Sequence, residues 1–178
     1  MPRRPRVEYP GAMHHVTQRG NNRERIFCSD ADYNAYLGTL GQVVSRHHWQ
    51  VVSYCLMPNH THLLIRTPVP NLTEGMRLLG TAYARRFNNA RGATGHVFQG
   101  RFGSSLVETD DHLITTLRYI ALNPVASGLC GDPAAWQWSA HAQLLGQTRR
   151  VSFLAFEVLA EDPASAEARY STLFSDAS

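Results

Sequence analysis

An α+β fold built on an antiparallel, ferredoxin-like sheet is predicted for this chain by three observations. Short segments rich in Val, Ile, Tyr and Thr have strand character, while longer segments place apolar residues at helical spacing. The two kinds follow one another in the order β-α-β-β-α-β-α. The second and third strands are separated only by Met57-Pro58-Asn59, a connection short enough to impose an antiparallel hairpin. The first six elements match the split βαβ arrangement, an antiparallel sheet with helices packed on one face, and the seventh is an additional helix.

The elements follow from local signals. Ala12 to Gln18 reads as the first strand, and the polar segment Arg19-Gly20-Asn21-Asn22-Arg23 as a loop. Asp30 is the expected cap of a helix running to about His47, with Tyr33, Tyr36, Leu37, Leu40 and Val43 or Val44 on one face. Trp49 to Leu56 and His60 to Thr67 are the hairpin strands. After the break at Pro68-Val69-Pro70, Asn71 can start a helix to Asn88 that turns Leu72, Met76, Leu79, Tyr83 and Phe87 inward. Val97 to Val107 reads as a glycine-interrupted strand. Asp110 or Asp111 opens the last body helix, expected to reach Leu122 and to be stopped by Pro124. These elements make a body over residues 1–133. Residues 134–178, with Trp136, Trp138, Phe153, Phe156, Tyr170 and Phe174, read as an acidic, helical C-terminal extension packed on it.

Composition bounds the function. A hydrophobic share of 43% with 17% charged residues is ordinary for a soluble chain that buries a real core. No apolar run approaches the roughly 18 residues of a membrane span, and no signal-peptide core follows the basic start, so no membrane partner and a cytoplasmic location are expected. Cys28, Cys55 and Cys130 are an odd set without Cys-x-x-Cys spacing, as expected of free, small buried thiols in a reducing compartment. All 17 basic residues are arginine. Up to residue 150 there are sixteen Arg against nine Asp and Glu, net +7; from Val151 there is one Arg against five acids, net −4. Base composition of a GC-rich genome accounts for the choice of Arg over Lys, but not for this skew. A basic body suits a polyanion, and the planar guanidinium grips phosphate bidentately and stacks on bases.

One tripeptide concentrates the chemistry. In His60-Thr61-His62 the two imidazoles project from the same side of a strand while Thr61 points away, so two nitrogen donors stand side by side on a rigid floor, as a divalent metal requires. Two unpaired imidazoles on a buried face would cost several kcal/mol, so a ligand, a partner or solvent must meet them. Tyr119 and Asn123, four apart in the last helix, share a face with Cβ atoms roughly 5–6 Å apart. Two histidines, an amide oxygen and a phenol suit a metal-assisted attack on a phosphodiester. A free phenol has a pKa of about 10, so the nucleophile needs help from a neighbour such as Arg118 or from the metal field. His112, two turns before Tyr119, is a candidate proton acceptor. The other histidines, His14, His15, His47, His48, His96 and His141, read as structural.

Four stretches carry a family resemblance. They are His15-Val16-Thr17-Gln18-Arg19-Gly20-Asn21-Asn22, Tyr54 through Ile65 with its Pro58-Asn59-His60-Thr61-His62, Phe98-Gln99-Gly100-Arg101-Phe102, and Arg118-Tyr119-Ile120-Ala121-Leu122-Asn123-Pro124-Val125. In order and spacing they resemble the HUH single-tyrosine transposases, and among those the REP-associated tyrosine transposases, over about residues 13 to 130. The resemblance implies an RRM-like sheet with the HUH motif on a central strand and cleavage and strand transfer on single-stranded DNA near palindromic hairpins. By position it implies Tyr119 as the nucleophile that takes the 5′ phosphate, and His60, His62 and Asn123 as ligands of Mg²⁺ or Mn²⁺; imidazole donors by themselves favour Mn²⁺ or a later metal. It also implies a bacterial, nucleoid-associated setting, and it leaves monomer and homodimer both open. Three departures stand out. Thr61 replaces a bulky apolar residue, Ala126-Ser127 stands where an arginine is common, and Phe98 replaces tryptophan.

DNA contacts are expected from the basic arm Arg3, Arg4 and Arg6, from Arg19, Asn22, Arg23 and Arg25 around the first loop, and from Arg101. Arg85 and Arg86 read as a solvated helix face that helps electrostatically. The competing reading is a catalytically silent binder of DNA hairpins, a repressor or architectural protein. A third, an RNA-binding domain of RRM type, lacks cleanly placed exposed aromatics on its central strands.

Overall fold

The computed structural model describes residues 7–175. Its four-stranded sheet is antiparallel throughout, in the order β2-β3-β1-β4, formed by β1 (Ala12–Arg19), β2 (Gln50–Met57), β3 (His60–Thr67) and β4 (Gly103–Leu106). This is the expected α+β, ferredoxin-like sheet, with the histidine strand β3 at its centre. The expected arm Arg3, Arg4 and Arg6 lies outside the described residues.

Two helices cover one face. α1 (Asp30–His47) and α2 (Leu72–Arg91) pack over the side carrying Val16, Leu63 and Ile65, where Tyr36, buried in the core, donates to Thr61 Oγ1 at 3.4 Å. α1 starts one residue earlier than its sequence signal: Ser29, not Asp30, is the cap, because Ser29 and Asp32 form a reciprocal capping box. Asn71 does precede α2, but its side chain does not cap it. The amide accepts from Trp49 Nε1 at 2.7 Å and donates to the His47 carbonyl at 3.1 Å, clamping the start of α2 to the end of α1. Gly75 makes this packing possible, since a Cβ there would lie 2.1 Å from the Trp49 ring.

Two expectations are corrected. The strand expected over Val97 to Val107 is ordered as β4 only from Gly103 to Leu106; before it, Gly100 turns at φ +69°, and residues 97–99 join the end of β1 through an isolated bridge between Phe98 and Gly20. The last body helix, α3 (Asp110–Ala126), continues through Pro124 rather than stopping at Leu122. Only Val125 and Ala126 follow the proline within the helix. The turn closes around it through bonds from Ser127 N to Asn123 O at 3.0 Å and from Leu129 N to Pro124 O at 2.9 Å. α3 crosses the sheet face opposite to α1 and α2, against β2 and β3.

The extension is tied to the body's edge. Leu56 N donates to Trp138 O at 2.9 Å, Ala140 N to Tyr54 O at 2.9 Å and Ala155 N to Val51 O at 2.8 Å, so residues 138–155 cover the outer edge of β2. Trp138 stacks on Tyr33 with ring centroids 4.4 Å apart, Trp136 Nε1 donates to Leu56 O at 3.1 Å, and Gln143 Nε2 donates to the buried Tyr54 hydroxyl at 2.7 Å. α4 (His141–Leu144) and α5 (Pro163–Ser175) complete the chain, α5 packing on α3. Of the three free thiols only Cys55 is buried; Cys28 is exposed and Cys130 half-buried, so the expectation of uniformly buried cysteines fails. No helix among the described residues is long and apolar enough to cross a membrane.

Candidate functional site

The register of β1 on β3 fixes what surrounds the histidine pair. Arg19 stands opposite His60, and Thr17 opposite His62, with Leu64 and then His15 one pair further along the same sheet face. His15 was expected to be structural. Instead its Nε2 lies 3.0 Å from His62 Nδ1, with the two rings stacked at 5.2 Å.

Tyr119 reaches this cluster from α3. Its ring meets that of His62 edge to face at 5.3 Å and that of His15 at 5.8 Å, while 52% of the residue remains exposed. One turn on, the side chain of the buried Asn123 comes close enough to His60 to oppose the lowering of that ring's pKa by burial. His60, His62, Tyr119 and Asn123 are thus brought together from β3 and α3. His112, in the exposed first turn of α3, meets the cluster only electrostatically, through His15.

Protonation states follow from the bonds. Asn59 Nδ2 donates to the Arg23 carbonyl at 3.1 Å, which leaves its Oδ1 to face His60 Nδ1 at 2.7 Å. An amide oxygen only accepts, so His60 carries its proton on Nδ1 and keeps the Nε2 lone pair free. Burial, with the nearby charge of His60, His15 and Arg19, pushes His62 down to about 3. Burial and Arg19 likewise lower His60, and burial and His112 lower His15. All three rings are neutral near pH 7, as metal ligation by imidazole requires. His62 Nε2 is buried without a hydrogen-bond partner, an orphan that a metal ion would satisfy. Among the described residues no three His, Cys, Asp or Glu side chains form a metal-holding group; beside the histidine pair the protein offers the amide of Asn123.

The basic loop flanks the same end of the sheet. Arg19, Asn22, Arg23 and Arg25 are exposed; Asn22 and Arg23 both have left-handed φ, of 50° and 61°. Asn59 links this loop directly to His60, a role with no signal in the sequence beyond its place before the histidine. Arg101 is exposed at the far side of the sheet, away from the histidines, where the segment before β4 meets α2.

A family model described as transposase, IS200-like, matches residues 9–123, which include every site residue above. The chain is 27% identical over 120 residues to a REP-associated tyrosine transposase of Haemophilus influenzae, covering 61% of this chain and 68% of that protein. Its fold matches the solved structure of a REP-associated tyrosine transposase bound to a REP hairpin, with a TM-score of 0.71 at 18% identity, over 87% of this chain and 92% of that one. A crystal structure of a transposase from Deinococcus radiodurans aligns at a TM-score of 0.47 and 17% identity, over 66% and 95% of the two chains.

Proposed function

The chain belongs to the IS200-like transposase family, and from that premise we propose that it cleaves and rejoins single-stranded DNA beside palindromic, REP-like hairpins, through a 5′-phosphotyrosine on Tyr119. The observation that carries this reading is the half-exposed Tyr119 ring set edge-on against His62, whose buried Nε2 lacks a hydrogen-bond partner.

In this reading residues 1–133 act as the catalytic domain and 134–178 as the extension that holds its sheet edge. The phenolic oxygen attacks the scissile phosphorus, the bond from phosphorus to the 3′ oxygen breaks, and the phenol's proton is balanced by the one gained by the 3′ hydroxyl. The phosphotyrosine keeps the bond energy for the reverse attack by a 3′ hydroxyl. His60, His62 and Asn123 would hold Mg²⁺ or Mn²⁺. The ion supplies charge neutralisation at the phosphate and at the departing oxygen. In this reading His15 and Asn59 orient the two ligand rings through their Nδ1 atoms, and the Nε2 lone pairs would be the ones offered to the ion. Arg19, beside both histidines, adds positive charge where the phosphate would sit, and Asn22, Arg23 and Arg25 offer the hairpin a basic, exposed loop.

Incubation of the full chain with hairpin-bearing single strands and Mn²⁺ is expected to give a protein–DNA adduct that survives denaturing electrophoresis. Tyr119→Phe abolishes the adduct and retains binding, and a chelator removes the adduct from the unsubstituted chain. Cleavage by Tyr119→Phe would move the nucleophile elsewhere; tight hairpin binding with no cleavage by either chain would make the protein a silent binder.

A further inference from the structure

On the side of the sheet away from the histidines, α2 and the segment 95–102 enclose a groove of about 730 Å³, a size typical of small-molecule clefts. Met76, Phe98 and Phe102 give it an apolar floor. Arg77, Arg85 and Arg101 stand exposed around it, and no carboxylate lines it. Gln18 closes its inner end. The residue is only 7% exposed, and its Oε1 has no hydrogen-bond partner. The amide lies against α2 because position 80 is glycine: a Cβ there would come within 2.9 Å of Gln18 Nε2.

An apolar floor, a rim of three arginines with one carboxylate, Glu8, tied to Thr73 at its edge, and one buried, unsatisfied acceptor together describe a site for a planar ring that carries an amino group and a phosphate. We infer that the groove binds one unpaired nucleotide of the DNA strand, its base over the Phe98 and Phe102 edges, its exocyclic amine donating to Gln18 Oε1 and its phosphate against Arg101 and its neighbours. The inference rests on the DNA-acting reading above and adds a base-reading site on the opposite sheet face. The two sites are joined through one strand end. Gln18 pairs with Thr61, the residue between the two histidines, while the adjacent Arg19 pairs with His60 and faces the other way. Phe98 bridges to Gly20, and Gln99 N donates to Arg19 O at 2.8 Å, so the groove wall is fastened to the strand end that borders the histidines. A single strand crossing this end of β1 meets both faces.

The acceptor sets the base preference. Adenine and cytosine present an amine where thymine presents a carbonyl, so thymine would set oxygen against the Gln18 oxygen. The test uses the full chain carrying Tyr119→Phe, so that binding is read without cleavage and stands whether or not Tyr119 forms an adduct. Fluorescence anisotropy with 5′-labelled dA12, dC12 and dT12 is expected to show dA12 and dC12 bound about two- to tenfold more tightly than dT12, the range of one net hydrogen bond. Adding Gln18→Met, shown folded by its melting transition, removes the difference. Arg101→Gln, an exposed change that leaves Gln18 in place, weakens all three alike and lowers the salt slope by about one. Equal binding of the three oligomers by the parent, a preference that survives Gln18→Met, or unchanged affinity in Arg101→Gln each overturns the proposal. Should Gln18→Met not fold, the parent's preference and Arg101→Gln decide.

Discussion

Single residues set the protonation and aim of this site. His15 shows how: its ring nitrogen lies 3.0 Å from His62 Nδ1, which holds the ring of His62 in one orientation. Replacing a group that orients a metal ligand generally costs 10–100-fold in metal affinity or activity. His15→Ala is therefore expected to shift the Mn²⁺ dependence of adduct formation upward by about that factor, measured as adduct yield against Mn²⁺ concentration, with the fold intact. The alternation rule made His60 and His62 legible, because two residues apart on a strand are on one face whatever the tertiary structure. His15 was not legible, since only the pairing register of β1 on β3, a long-range property, puts it beside His62. The buried histidines also give stability a pH dependence. Burial lowers His14, against an opposing effect of Glu8, and lowers His141, against Asp132, while His62 is pushed down to about 3. Below about 6.5 the unfolded chain binds protons that the folded chain refuses, so stability is complete above that pH and falls as pH drops toward the folded values. Urea midpoints of the metal-free chain should decline steadily from about pH 7.5 to about pH 5. A midpoint that is flat or rises on acidification contradicts the neutral, buried rings.

At the level of elements, α3 and α2 illustrate opposite uses of small sequence signals. Tyr119 and Asn123 were readable as one helical face because their four-residue spacing is local. The end of α3 was not: Pro124 falls in the last turn, where its missing N–H costs one helix bond, and the following loop caps the carbonyls of Asn123 and Pro124. The strand expected from Val97 was shortened by the turn at Gly100, a backbone choice that periodicity does not report. α2 is positioned by contacts invisible to local pattern, with Gly75 admitting the Trp49 ring. Gly75→Ala puts a methyl group into that ring. Overpacking of this kind costs about 1–3 kcal/mol, and the measurement is the free energy of urea unfolding with the slope unchanged. A neutral result would mean that Trp49 moves freely, contrary to its bond to Asn71.

On the scale of the whole molecule, charge and edge protection divide along the chain. The basic body carries the site, while the acidic extension occupies the β2 edge, through backbone bonds at Val51, Tyr54 and Leu56. The extension's helices and aromatic anchors were legible from composition. Its role as an edge cover was not, because residues 138–155 pair with β2 only as short isolated bridges. Cutting the chain after residue 133 bares that edge and the Tyr54 hydroxyl that Gln143 satisfies. An unprotected edge strand recruits other edges, so the shortened chain is expected to elute as large aggregates in size-exclusion chromatography, whereas an intact monomer peak would show that the body folds unaided. The account as a whole depends on a phenol and an imidazole pair meeting at one phosphate. Mass spectrometry decides this most directly: after reaction with a hairpin-bearing single strand and Mn²⁺, then digestion of DNA and protein, the peptide containing Tyr119 should carry a 5′-linked nucleotide on its phenolic oxygen. An adduct on any other side chain, or unmodified Tyr119 in a chain that has cut its DNA, would contradict the account.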